Sequence, residues 1–146
     1  MAAMTNFLEN NIIDWLLRGQ AYTPPANVYI ALFTAAPSDA GGGTEVSGGS
    51  YARVQVASAL ANWAGTQSAG STTASSGTGG TTSNNAAITF PAPTANWGVI
   101  THFAIMDASS GGNMLFHGAL TTSKTVNNGD AAPSYAAAAL SLQLDN

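Results

Sequence analysis

The residues from Trp97 to Leu120 constrain the fold more than any other part of the chain. WGVITHFAIMD (Trp97 to Asp107) is the strongest run of β-formers; it stops at ASSGG (Ala108 to Gly112) and resumes as NMLFHGAL (Asn113 to Leu120). Two such runs joined by a short glycine-containing loop read as a hairpin. If Asp107 and Gly112 close it, His102 faces His117, Phe103 faces Phe116 and Ile105 faces Met114. One surface then carries Phe103, Ile105, Met114 and Phe116 as core, and the other carries the two histidines.

The flanking segments repeat this grammar. NVYIALFT (Asn27 to Thr34) is rich in β-formers and bounded by proline and a turn. Pro37 to Ser50 is a glycine-rich loop around a short extended piece. YARVQVA (Tyr51 to Ala57) alternates, with Arg53 and Gln55 on one side and Val54 and Val56 on the other. AAITF (Ala86 to Phe90) stops at Pro91 and Pro93. Asn128-Gly129 marks a turn. Tyr135 to Leu144 reads as a terminal strand with Leu140, Leu142 and Leu144 on one face, although Ala136 to Ala139 suits a helix by propensity.

Only the N-terminus has helical spacing. Leu8, Ile12 and Leu16 recur at i, i+4 and i+8 with Ile13 and Leu17 beside them. Asn6 and Glu9 form a capping-box pattern, Arg18 suits the negative end of the dipole, and Gly19 with Pro24-Pro25 ends the element. The helix is expected from about Thr5 to Arg18, either covering a sheet face or serving as an arm that docks on another subunit. Gly65 to Asn85 has no charge, no aromatic and no aliphatic larger than alanine. It reads as a long Gly/Ser/Thr loop adding little to a core, either flexible or ordered on a neighbour. Seven or eight strands, one helix and no βαβ pattern predict a mainly β fold, an antiparallel β-sandwich that is jelly-roll-like. Residues 1–25 are read as the N-terminal helix and proline linker. Residues 26–146 are read as the β-sandwich domain, with 65–85 as its flexible loop.

Charge narrows the function. Charged residues make up 7% of the 146 residues, where about 25% is usual. Three cations against a net charge of −4 cannot build a phosphate-binding patch, so no direct nucleic-acid contact is expected. Nor is a membrane partner: the longest apolar stretch, Val28 to Ala36, is far short of the roughly 20 residues of a spanning helix. The first ten residues carry Glu9 and no cation, unlike a secretory leader, so cytoplasmic synthesis without export is expected. A surface of Ala, Gly, Ser, Thr and Asn is poorly protected against association. It suits a subunit packed against neighbours better than a free monomer, and a homo-oligomer is expected.

No catalytic, cofactor-binding or metal-binding residue is nominated. There is no cysteine, and no carboxylate is placed by spacing to complete a site with His102 and His117. That pair reads first as a plain cross-strand contact and second as a pH-sensitive contact between subunits. The acids Glu9, Asp14, Asp39, Glu45, Asp107, Asp130 and Asp145 fall mostly in turns or the helix. Neither a nucleophile–base spacing nor a phosphate-loop motif occurs. The aromatics Trp15, Trp63, Trp97, Tyr22, Tyr29, Tyr51 and Tyr135 read as core and interface packing, with sugar binding as the alternative.

The long joint pattern is more specific. Tyr22-Thr23-Pro24-Pro25, then VYIALFTAAPSDAGGGTEVSGGSYARV (Val28 to Val54), then ITFPAPTANWGVITHFAIMDASSGGNMLFHGALTTSKTV (Ile88 to Val126) resembles a family of small virion proteins of tailed bacteriophages. Members are variously described as capsid-decorating, minor structural or tail-fibre proteins. The resemblance implies a non-enzymatic structural protein with no cofactor, made in the host cytoplasm and carried in the virion. Its partners would be the major capsid protein or other virion proteins. With no heptad run and no internal repeat, one small domain suits a clamp better than a rod. The first expectation is therefore a capsid decoration, or cement, protein bridging shell subunits, and the second is a tail or tail-fibre component, including one that meets the host.

Overall fold

The computed structural model describes residues 2–144; Asp145, one of the seven acids, lies outside them. The fold is mainly β, with antiparallel sheets and one helix, as the sequence implied. Strand β2 (Asn27–Ala35) is its centre. On one side it pairs with β7 (Gly98–Met106), and on the other with both β3 (Thr44–Glu45) and β4 (Val54–Ala57). Beyond β7 lies β8 (Met114–Val126), edged by the two-residue β1 (Ala3–Met4). Two ribbons, β5 (Thr81–Ser83) with β10 (Ser141–Gln143) and β6 (Ile88–Thr89) with β9 (Ser134–Tyr135), complete the molecule.

The core explains this unequal, sandwich-like layering. Alternate residues of β2 point to opposite faces. Ile30 and Leu32 join Phe103, Ile105, Leu115, Phe90 and Leu140 in the main cluster, which the ribbons cover. Ala31 and Phe33 join Ala104, Met106 and Met114 on the other face. Both faces are thus buried over Ile30–Phe33 of β2 and Phe103–Met106 of β7, which is why these stretches read as apolar runs. Among the described residues there is one six-stranded sheet and two ribbons, so a jelly-roll-like arrangement of two comparable sheets is not confirmed.

The hairpin forms, but in a different register. His102 lies opposite Ala119, His117 opposite Ala104, Phe103 opposite Gly118 and Ile105 opposite Phe116. Two one-residue offsets combine: the loop closes with Met106 opposite Met114, one residue further than expected, and Leu115 is an extra residue on β8 at the shift between Ile105 and Met106. Leu115 turns into the main core and Met114 moves to the second face, against the expectation that Met114 joins Phe103 and Ile105. Thr5 holds the bulge: its N–H donates to the Leu115 carbonyl at 3.0 Å and its hydroxyl donates to the Met114 carbonyl. The loop itself is set by Asp107, whose carboxylate accepts from the Asn113 N–H at 2.7 Å and side-chain amide at 2.8 Å. Gly112 is required there, because a Cβ would lie 2.3 Å from the Asp107 carboxylate in a backbone already at φ 73°.

Helix α1 (Asn6–Leu17) is close to its expected span, but the capping box is absent. Thr5 is the N-cap in extended backbone, and its side chain serves β8 instead of the helix. Gly19, at φ 69°, stops the helix, and the Gln20 N–H returns to the Asp14 carbonyl at 3.0 Å. The tail also differs. Residues 136–139 form a turn rather than strand or helix, and Leu140 and Leu142 are buried while Leu144 is 60% exposed.

The Gly/Ser/Thr stretch contributes more than expected. Its end supplies β5 and buries Ser83 and Asn84. Asn84 is 1% exposed; its amide donates to the carbonyls of Ala86 (2.7 Å) and Ala136 (2.8 Å), and its carbonyl accepts from the Leu140 N–H at 2.9 Å. A buried amide with every bond made is a strong local tie. Gln67 organises the earlier part, accepting from the Ser76 N–H at 3.1 Å and donating to the Thr73 hydroxyl at 2.9 Å.

Leu140→Ala should therefore destabilise the domain by about 3 kcal/mol, the usual cost of emptying a buried leucine site. Leu144→Ala should cost less than about 0.5 kcal/mol. Urea denaturation of both variants checks the contrast, and equal midpoints would show that the tail is not part of the core.

Candidate functional site

Three surfaces gather the chain's distinctive side chains. The first is a cavity of about 460 Å³ on the second face of the sheet, with Phe33, Met106 and Met114 at its base and the loops 39–43 and 111–113 around it. Arg53 on its wall makes four hydrogen bonds. Its Nε and one terminal nitrogen donate to both Glu45 carboxylate oxygens at 2.8 Å, and the other nitrogen donates to the carbonyls of Ala108 (2.7 Å) and Gly111 (2.8 Å). Tyr51 completes the unit, donating to Glu45 at 3.0 Å and accepting from the Leu32 N–H at 2.9 Å. The hydrogen bond to Glu45 raises the Arg53 pKa despite burial, and burial raises that of Tyr51. Four of the five guanidinium donors are spent on the chain itself. The corner ties the hairpin loop to β3 and β2.

The second surface is a groove of about 430 Å³ between the far half of β8 and the segment 131–135. Its floor is Leu32, Phe90, Ile100 and Val126, and Lys124 and Thr122 stand on one wall. That wall is irregular: Ile100 pairs with Lys124 but His102 pairs with Ala119, so Leu120–Ser123 bulge from the ladder. On the opposite wall Tyr135 packs its ring against Phe90 and Phe103, at 6.5 and 6.3 Å between centroids. Its hydroxyl is buried with no hydrogen-bond partner among the described residues, and burial raises its pKa.

The third surface is α1. Leu8 is buried and Ile12 packs on the core, yet further along the helix Trp15 is 57% exposed, Leu16 65% and Leu17 76%. Burial on one face thus falls away from the first turn to the last. The helix starts in the core and overhangs the domain, so it does not cover a sheet face along its length.

The structure separates the two histidines chemically. His117 Nε2 lies 3.0 Å from Asp39, and His102 Nδ1 lies 2.8 Å from the Thr101 hydroxyl. The cross-strand contact read from the sequence is absent, because the loop closure and the β8 bulge together move the register by two residues. Among the described residues no group of three or more His, Asp or Glu side chains is placed to hold a metal ion. Most of the aromatics pack inward: Tyr51 stacks on Phe90 (6.2 Å) and meets the edge of Trp97 (5.3 Å), whose indole N–H donates to the Gly49 carbonyl at 2.9 Å. Trp15 and Phe7, both on α1, are the exceptions. Sequence reasoning missed the roles of Arg53, Lys124 and Tyr135. The scarcity of cations was a usable signal for the first two; nothing local marked the third.

Arg53→Met should cost about 2–3 kcal/mol, since it strands a partly buried carboxylate and two carbonyls; the quarter exposure of Glu45 keeps the loss below that of a sealed pair. Arg18→Met, which breaks the exposed 3.0 Å pair with Asp14, should cost under about 0.5 kcal/mol. Thermal melts of the two variants separate these effects.

No curated protein matches the chain. A family model described as "Podophage GP4 fiber I protein gp80" matches residues 3–143. The matched span runs from β1 to β10 and takes in all three surfaces. The chain therefore belongs to this podophage fibre protein family, a family of phage virion structural proteins.

Proposed function

We propose that the chain is a non-enzymatic structural subunit of a podophage tail fibre, held by apolar contacts to further copies and to other virion proteins. The family match carries this reading: it supports the tail-fibre alternative better than the capsid-decoration role that the sequence favoured. The structure supplies a physical basis. A chain with 7% charged residues that leaves Ile13, Trp15, Leu16 and Leu17 exposed on one short helix presents apolar surface of the kind used for association. Attachment of this kind depends weakly on ionic strength, because few charges take part.

Location is the test. Gold-labelled antibody against the chain should mark the tail fibres of intact particles, at a copy number that is a small multiple of the fibre number. Particles lacking the protein should retain heat-stable, DNA-filled heads and lose fibres. Label over the shell, hundreds of copies per particle and early DNA loss on heating would replace this reading with the cement one. In the purified chain, Leu16→Asp should leave the unfolding free energy within about 0.5 kcal/mol of the parent, because the site is open to water. The same variant should fail to enter particles. Full incorporation would remove the helix from the assembly interface.

A further inference from the structure

We propose that the exposed face of α1 seats in the β8 groove of a second copy of the chain, so that copies join head to tail; this deepens the multi-copy reading above and rests on it. The groove and the helix are complementary in apolar character and in charge. Of the three cations, Arg18 is held by Asp14 and Arg53 by Glu45, while Lys124 has no carboxylate partner among the described residues. It stands at the mouth of an apolar groove. On α1, Glu9 is likewise outside every ion pair among the described residues and lies one turn before Ile13 and two before Leu16 and Leu17. An apolar stripe with one free carboxylate thus faces, across a pair of copies, an apolar floor with one free ammonium group.

Tyr135 lines this groove and packs its ring against Phe90 of the floor, which holds that wall in place. The bulge at Leu120–Ser123 adds a second feature, since it raises one wall beside the floor at the expense of a regular ladder.

The occupant is a second copy, because α1 does not line its own groove. In its own chain the helix is tied through Thr5 to the Met114–Leu115 end of β8, whereas the groove begins at Leu120. Two different patches then meet, which makes the contact heterologous; such contacts close into rings or propagate into filaments.

The chain has no cysteine, which gives a direct test on the full-length protein. Single variants Ile13→Cys and Thr122→Cys, mixed and oxidised, should yield a disulfide-linked pair containing one of each. Lys124→Glu should weaken self-association measured by sedimentation roughly three- to tenfold with an unchanged melting temperature. Adding Glu9→Lys to the same chain should restore it. A parent chain that stays monomeric at high concentration overturns the proposal, as does cross-linking of Ile13→Cys only to itself. These outcomes are separable from the fibre reading. Monomeric protein with label on fibres sinks the docking alone, and the mixed cross-link with label on the shell sinks the fibre role alone.

Discussion

Burial of β2 on both faces is the constraint from which the remaining structure follows. Ile30 and Ala31 are fully buried neighbours that point in opposite directions, so apolar cover is needed above and below the same strand. One cover is large. The ribbons and the segments around them bring Ile88, Phe90, Leu140 and Leu142 down onto Ile30 and Leu32. The other is thin, built on Ala31 and Ala104 with Phe33, Met106 and Met114 around them. A sheet loaded so unequally has no use for two matched layers. The small alanines on the thin side let loops and single side chains do what a second sheet would otherwise do.

The few charges are placed accordingly. Arg53 and Glu45 stand beside the thin cover and fasten the hairpin loop to the opposite edge of the sheet, from β4 across to Ala108 and Gly111. In a chain with many ion pairs this would be one contact among several. Here it is the only Arg–carboxylate pair with a buried cation among the described residues, and the hairpin loop has no apolar side chain between Ala108 and Asn113 to anchor it otherwise. The other arginine, on the exposed end of α1, contributes little. Scarce charge is thus concentrated where burial alone cannot position the backbone.

Legibility followed the physics of each signal. The strands Asn27 to Thr34 and Trp97 to Asp107 were readable because a run of β-formers buried on both faces looks like little else. The helix was readable from its spacing, yet its exposed end was not, since periodicity reports a stripe and not what covers it. The histidine pairing failed because two one-residue offsets add: the loop closes with Met106 opposite Met114 instead of Asn113, and the inserted Leu115 shifts every partner beyond it once more, while a bulge leaves no local mark in composition. Asn84 escaped for a related reason. It sits at the end of a stretch that looks like loop, and its burial depends on carbonyls from Ala86 and Ala136 that no local pattern associates with it. Met114 went to the wrong face with the register. The cavity-lining role of Tyr135 depended on three segments meeting, and those meet only in the fold.

A nearly uncharged surface raises a question of specificity, since apolar contacts alone discriminate weakly between registers. The distribution of unpaired charge answers it. When most charged groups are tied within the chain, one ammonium group at a groove mouth and one carboxylate on a helix are enough to prefer one seating over its neighbours. A misplaced seating would leave Lys124 over apolar surface and Glu9 desolvated without a partner, each at a cost. The apolar stripe then supplies the area, and the charge pair supplies the register. Sparse charge in this chain is therefore compatible with ordered assembly: it removes competing contacts as well as favourable ones.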